Sequence, residues 1–147
     1  MLKFIPTSLH FRVLATSLLA LSFSSHLSAS DLKTAEYPTV HFENLKDGAK
    51  VTSPIDIKFS IRVWDVKPAG DMSPNTGHHH LIIDGAPVPE GQVVPKDAKH
   101  IHFGKGEAET TIELPPGRHT LTLQFANGAH ISYGKDLSTS ITVNVVK

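Results

Sequence analysis

Hydrophobic and polar side chains alternate without a break through residues 55–63, where Ile, Phe or Val occupies every odd position. A period of two places all the hydrophobic side chains on one face of an extended strand. The same alternation runs through residues 121–125 and 141–145. After the first thirty residues, no segment shows the 3.6-residue period of an amphipathic helix. The pattern therefore predicts a sheet protein in which each strand buries one face.

Turn residues divide the rest of the chain into further short strands. Strand-like segments occur at residues 39–42, 50–52 and 79–84, and another ends at Pro115-Pro116-Gly117. Asn127-Gly128 is a strong signal for a two-residue hairpin turn. About seven strands separated by Gly, Pro and Asp are typical of an immunoglobulin-like antiparallel β-sandwich, so we predict an all-β fold of this type.

Residues 1–30 have the layout of a secretory signal peptide. Two basic residues precede an apolar run of eleven residues at 13–23, and small residues for cleavage follow at 28–30. The run is shorter than the ~20 apolar residues that span a bilayer, so we predict no membrane span after cleavage. We expect residues 31–147 to form a single domain that is periplasmic or secreted.

The charges of the whole chain balance, with 14 Lys and Arg against 14 Asp and Glu. Without a positive field the protein lacks the attraction on which non-specific nucleic-acid binding depends, so we predict no nucleic-acid partner. The absence of Cys excludes disulfides, thiolate metal sites and cysteine nucleophiles. The chain also lacks the common hydrolase, zinc-protease and phosphate-loop motifs, which favours a binding protein over an enzyme.

Ten of the 147 residues are histidine, and imidazole is the side chain that binds metals most often. The His78-His79-His80 triplet opens a predicted strand, so its first and third rings share one face and the middle ring takes the other. The His100-Ile101-His102 segment repeats the His-x-His spacing at the end of a long segment, residues 85–105, that is rich in Pro, Gly and Lys. If this long segment folds back onto the strand, the two pairs supply four imidazole nitrogens to one site.

Two more histidines flank the predicted strand at residues 118–126. His119 begins the hydrophobic face of this strand. A histidine at such a position is more typically a hydrogen-bonded structural residue than a ligand. His130 is predicted to pair with Phe125 across the hairpin, about 20 Å from His119 at the usual strand rise, so the two would not ligate one ion. The predicted metal ligands are His78, His80 and His102 with either His130 or His100, and His119 is a further candidate.

An all-imidazole donor set favours particular metals. Imidazole suits Cu(II), Zn(II) and Ni(II), whereas Ca²⁺ and Mg²⁺ prefer oxygen ligands. Because export leads to an oxidising compartment, we favour copper and place zinc next, in a carrier or sequestration protein. Ligation requires neutral imidazole, so we expect metal affinity to fall as the pH drops through about 6.

Two other functions remain open from the sequence. The residues His78, His80 and Asp84, with Pro115-x-Gly117 before His119, are similar to the metal motifs of cupins and predict a cupin-like metalloenzyme with a triad of His78, His80 and His119. In this pattern Asp84 replaces the usual Glu and His119 comes one residue early. Alternatively, the His-rich edge binds no metal and contacts an envelope protein or another envelope partner, as an immunoglobulin-like module.

Four separated motifs resemble a bacterial family. They lie at residues 77–84 (GHHHLIID), 102–106 (HFGKG), 114–121 (LPPGRHTL) and 127–130 (NGAH), in this order. The set is similar to the signature of the exported family catalogued as domain of unknown function 4399. The resemblance implies a small exported β domain and brings no established activity with it. It places the His triplet, His102, His119 and His130 in the family's motifs.

Overall fold

The strictly alternating segment forms strand β3, Ile55–Arg62, whose hydrophobic side chains at alternate positions are buried over most of its length. The computed structural model describes residues 36–147, and the predicted signal peptide at residues 1–30 lies outside the described residues. Residues Ala35–Lys147 form one compact unit. Within the described part of the chain, no helix has the length and apolar character needed to cross a membrane.

Nine strands and one short 3-10 turn follow one another in the described residues. They are β1 Thr39–Phe42, β2 Ala49–Thr52, β3 Ile55–Arg62, β4 Asp65–Val66, β5 Thr76–Ile83, β6 His100–His102, β7 Glu109–Ile112, β8 Gly117–Ala126 and β9 Ser138–Val146, with the 3-10 turn at Lys135–Leu137. The predicted all-β fold is confirmed. The pattern did not indicate β4 and β6, because strands of two and three residues are too short to show a period.

The strands form two sheets that pack as a sandwich. The smaller sheet has the order β1-β3-β7, and the larger has the order β2-β9-β8-β5-β4, with β6 also pairing with β5. β4 and β6 lie one beyond the other along the same edge of β5. Most pairs are antiparallel as predicted, but β2 runs parallel to β9 and β4 runs parallel to β5. The β-sandwich prediction is therefore confirmed, with parallel pairs at two sheet edges.

The main hydrophobic core lies between the sheets. Its fully buried side chains include Ile57, Phe59, Leu81, Leu121, Leu123, Phe125 and Val143. β5 contributes Leu81 to this core and also His79, whose ring lies edge-on to the rings of Phe59 and Phe125 with centroids 5.0 Å apart. One face of β5 thus belongs to the core, and the alternate residues face the other way.

The other face of β5 is covered by the long segment between β5 and β6, residues 84–99, which we call the covering segment. Its Val88 and Val94 form a second, smaller hydrophobic cluster with Ile82 and Ala126 of the sheet. The Val94 N–H donates a hydrogen bond to a carbonyl of the loop after β8. The segment therefore folds back onto the sheet. The sequence predicts that the two His-x-His pairs form one site in this case.

Gln124 of β8 holds the covering segment in place. Its side chain is fully buried. Its Oε1 accepts a hydrogen bond from the Val88 N–H at 3.1 Å, and its Nε2 donates to the carbonyls of Phe125, Gly134 and Leu137 at 3.0–3.3 Å. One side chain thus joins the covering segment, β8 and the 3-10 turn.

The loop after β8 differs from the predicted two-residue hairpin turn. The Asn127 side chain accepts hydrogen bonds from two N–H groups farther along the loop, and Tyr133 donates its N–H to the Phe125 carbonyl. The predicted pairing of His130 with Phe125 is therefore wrong. Asn127 closes a longer loop in which His130 takes a left-handed conformation with φ 64°.

Replacing Gln124 by Leu should destabilise the fold. The change removes the acceptor of the buried Val88 N–H and the Gln124 donor of the Gly134 and Leu137 carbonyls, and each unpaired buried group costs about 1–3 kcal/mol. We expect the free energy of unfolding to fall by about 3 kcal/mol, measured by urea denaturation. Gln92→Leu, at an exposed position of the covering segment, is the matched control and should change stability by less than about 0.5 kcal/mol. Equal effects of the two substitutions would refute the role of Gln124.

Candidate metal centre

Strand register brings three of the predicted ligands together. On β5, His78 and His80 lie two residues apart on the face away from the main core. β6 pairs with β5 in a register that sets His102 directly opposite His80, and residues directly opposite each other in a sheet share a face. The ligand nitrogens of these three histidines all lie within 4.8 Å of one another.

His130 reaches the same group from the loop after β8. Its Nε2 lies 3.1 Å from His102 Nε2, and His78 Nε2 lies 3.2 Å from His80 Nε2. The rings of these four residues lie with their centroids 4.7–5.8 Å apart in every pairing. We call His78, His80, His102 and His130 the four-histidine cluster.

The spacing of the Nε2 atoms suits a metal ion. With metal–nitrogen bonds of about 2.0–2.1 Å, two imidazole nitrogens on a tetrahedral ion lie about 3.3 Å apart. The two measured Nε2–Nε2 distances are 3.1 and 3.2 Å. A neutral imidazole N–H that donates to its neighbour's nitrogen gives the same separation, so the metal-free rings already stand at the distance that an ion requires.

The cluster extends from the interior to the surface. His78 and His80 are 0% and 2% exposed, His130 is partly buried and His102 is exposed. The two deep ligands are fixed on a strand, while the other two lie toward solvent. An ion therefore has a route into the centre past His102.

Two glycines allow the outer ligands to take their positions. The His102 ring lies over Gly104, where a Cβ atom would be 2.2 Å from His102 Cε1. At Gly128, a Cβ atom would be 2.1 Å from the Asp71 carbonyl oxygen, which only glycine permits, so the loop that carries His130 packs closely on the segment before β5. Both distances are far shorter than van der Waals contact.

Burial keeps the deep imidazoles uncharged. Loss of hydration is the main cause, and together with repulsion from neighbouring imidazoles it lowers the pKa of His78 to about 4 and the pKa of His80 to about 3. Burial, followed by the His130 charge, lowers the pKa of His102 as well. Neutral imidazole is the form that binds metal. These values also revise the pH dependence expected from the sequence, because His78 and His80 stay neutral well below pH 6.

Several buried ring nitrogens have no hydrogen-bond partner among residues 36–147. They are Nδ1 of His78, Nδ1 of His80 and both ring nitrogens of His79. His79 lies on the core side of β5, and burial lowers its pKa to about 4. Each buried polar group without a partner costs about 1–3 kcal/mol. Native structures hold few such groups, and a functional role or a bound ion is a usual reason for them.

His100 lies beside the cluster but has a carboxylate partner. Its Nδ1 lies 2.8 Å from Asp97 Oδ1 and donates to it. Its ring lines a cavity that also touches three members of the four-histidine cluster. Of the two residues that the sequence offered as the fourth ligand, the structure thus brings His130, rather than His100, into contact with the other rings.

His119 lies elsewhere and joins two other segments. It donates from Nδ1 to the Asp84 carboxylate and from Nε2 to the Pro115 carbonyl, both at 3.0 Å. With both nitrogens donating, the ring is an imidazolium, and the bond to Asp84 raises its pKa. The group in the described residues that could hold a metal ion contains His78, His80 and His102 but not His119. The geometry therefore gives no support to a cupin-like triad, and His119 and His130 have different hydrogen-bond partners.

Two charged residues near the cluster had no sequence signal. The Glu107 carboxylate raises the pKa of His78 and His102 against the larger effect of burial, so its charge acts on both. Lys96, in the covering segment, lines the same cavity as His100. Neither residue belongs to a metal-binding motif, and only the folding back of the chain brings them near the histidines.

Comparison with known proteins places the chain in a family. A family model described as Domain of unknown function (DUF4399) matches residues 57–146, which is more than half of the chain. The chain belongs to this family. The match confirms the resemblance carried by the four sequence motifs. In this DUF4399 domain, three of those motifs supply the four-histidine cluster, and two of them also supply Gly104 and Gly128.

Further comparisons add nothing about the activity. No curated protein sequence matches this DUF4399 domain significantly. Among solved structures, an endo-beta-1,4-mannanase from Thermotoga petrophila is similar to it with 15% sequence identity and a TM-score of 0.48. The similarity covers 78% of this chain and 21% of the mannanase chain. At this level it has no bearing on substrate or mechanism here.

Replacing Gly104 by Ala should displace the His102 ring. The backbone of Gly104 lies outside the left-handed region, so Ala fits the backbone and the strain comes from the collision with His102. Because His102 is exposed and its ring can turn aside, we expect the free energy of unfolding of the metal-free protein to fall by no more than about 1 kcal/mol, measured by urea denaturation.

A double variant separates this collision from other effects of the substitution. Gly104→Ala introduced into a His102→Ala protein meets no ring, so the further loss of stability should be below about 0.5 kcal/mol. If Gly104→Ala destabilises both backgrounds equally, the ring of His102 is not the reason for the glycine.

The stability of the metal-free protein should fall as the medium becomes acidic. Folding lowers the pKa of His78 and His79 from 6.5 to about 4 and that of His80 from 6.5 to about 3. Between the pKa values of the folded and the unfolded state, the unfolded chain binds more protons than the folded chain. Stability that is present above pH 6.5 is therefore lost as the pH decreases. We expect the free energy of unfolding to be lower at pH 5 than at pH 7.5 by at least about 2 kcal/mol.

His119 acts in the opposite direction and provides the control. Its pKa is raised, so its contribution is complete below the unfolded pKa and is lost as the pH rises through the folded pKa. Without this opposing effect, a His119→Gln variant should show a larger loss of stability between pH 7.5 and pH 5 than the original protein. A constant or rising stability of that variant toward pH 5 would show that burial of the triplet does not control the pH dependence.

Proposed function

We propose that this protein is an exported transition-metal-binding protein whose ion is held by the four-histidine cluster. One observation carries the proposal: two pairs of Nε2 atoms, His78 with His80 and His102 with His130, converge at 3.2 and 3.1 Å. The lowered pKa values support it, because the deep imidazoles need not lose a proton before they bind an ion at neutral pH.

The donor set favours copper first and zinc second. Imidazole suits both metals, and the Irving–Williams order gives Cu(II) the higher affinity for a given nitrogen site. The chain offers no thiolate because it contains no Cys. Calcium needs about six to eight oxygen ligands, whereas Glu107 is the one carboxylate in the described residues whose charge acts on His78.

A role in carrying or sequestering the ion fits a site that is rigid on one side and open on the other. The two ligands on β5 are buried and fixed, so they are prepared for the ion. The two outer ligands belong to a three-residue edge strand and a loop, so they can move aside when the ion enters or leaves. With a signal peptide predicted at residues 1–30, we place this function in the periplasm or outside the cell.

Calorimetric titration with Cu(II) and Zn(II) tests the proposal. The protein is residues 31–147 without an affinity tag, in a non-chelating buffer, because added histidines would imitate the site. We expect one saturable site with a Kd below about 1 μM. The His78→Ala/His80→Ala variant should bind at least about 100-fold more weakly, because it loses both deep ligands.

His41→Ala is the matched control, since it removes an imidazole that hydrogen-bonds to Thr39 outside the cluster, and its affinity should equal that of the original protein. Circular dichroism verifies that the double variant is folded, and His102→Ala, at an exposed position, replaces it if it is not. Weak and non-stoichiometric binding by the original protein, or an equal loss in His41→Ala, would overturn the proposal.

A further inference from the structure

A cavity of about 310 Å³ opens beside the four-histidine cluster. His80, His102 and His130 form part of its wall, and the covering segment contributes Val93, Val94 and Lys96. Three of the four proposed metal ligands thus face this space. A small molecule in the cavity would therefore be in contact with the coordination sphere of a bound ion.

Lys96 makes the cavity electropositive. It lines the cavity together with His102, and it forms no salt bridge within the part of the chain that the structure describes. Asp97, the neighbour of Lys96 in sequence, and Glu107 do not line the cavity. With a divalent ion on the histidine wall, the space is positively charged and contains no protein carboxylate in its lining.

Apart from the His100 ring, the rest of the wall is apolar, and the space is small. Val93, Val94 and Pro95 line one part of it, with Val93 60% and Val94 4% exposed. Pockets for small molecules commonly have volumes of about 300–1,000 Å³, so this cavity is at the lower end of that range. Its shape and charge suit a compact ligand that has a negative group and a short hydrocarbon part.

We propose that the cavity binds a small aliphatic carboxylate, which bonds to the metal ion and to the Lys96 ammonium and packs its hydrocarbon part on Val93 and Val94. The two oxygens of a carboxylate allow it to accept bonds from two cationic groups at once. This inference rests on the proposed function, because the ion is one of the two cationic partners. The protein then holds a metal ion together with its organic ligand.

Spectroscopic titration of the Cu(II)-loaded protein tests this inference. Isobutyrate is the probe, and isobutyramide, which has a similar shape and no charge, is its matched control. We expect isobutyrate to shift the visible absorption band of Cu(II) in a saturable manner, and isobutyramide to leave the band unchanged. Lys96→Gln should weaken isobutyrate binding at least about tenfold, with the affinity for Cu(II) unchanged.

Lys99→Gln is the control variant, because it removes the same charge from the same segment at a position that does not line the cavity. It should bind isobutyrate as the original protein does. No saturable response to isobutyrate, an equal response to isobutyramide, or an equal weakening in the two lysine variants overturns the inference. Failure of the protein to bind Cu(II) is a different result, visible by calorimetry before any carboxylate is added, and it overturns the proposed function and this inference together.

Discussion

Strand β5 is buried on both faces, and histidines occupy three of its eight positions. It pairs with β8 along one edge and with β4 and β6 along the other, which fixes it inside the larger sheet. One face gives His79 to the main core, and the other gives His78 and His80 to the four-histidine cluster. The strand ladder fixes the backbone of His78 and His80, and burial confines their rings, so the position of these two side chains is a property of the fold and not of a loop.

The outer half of the centre depends on close approaches between backbone segments. The register of β6 brings His102 opposite His80, and Gly104 leaves room for the His102 ring to lie over the turn that follows. Gly128 leaves room for the loop that carries His130 to lie against the backbone of Asp71. The glycines in these motifs are therefore positional requirements of the histidines beside them, which explains why the two residue types occur together.

The strands and the shared face of His78 and His80 could be predicted because both depend on local alternation, which a strand converts directly into geometry. The position of His130 could not be predicted, because the Asn127 side chain closes a longer loop and the register changes. The roles of Lys96 and Glu107 were also hidden, since they depend on where residues 85–105 fold back. Sequence spacing shows which residues share a strand face, but long-range packing decides which loops meet that face.

The same burial that prepares the deep imidazoles for an ion also opposes folding in its absence. Loss of hydration keeps His78 and His80 neutral, and it leaves their Nδ1 atoms without hydrogen-bond partners. A ligand that binds only the folded protein stabilises it by an amount that grows with the logarithm of its concentration over its Kd. A metal ion bound at the proposed site would therefore favour the folded state. The proposed metal affinity and the expected acid sensitivity then share one physical origin, which is the placement of imidazoles where a β-sandwich ordinarily has aliphatic side chains.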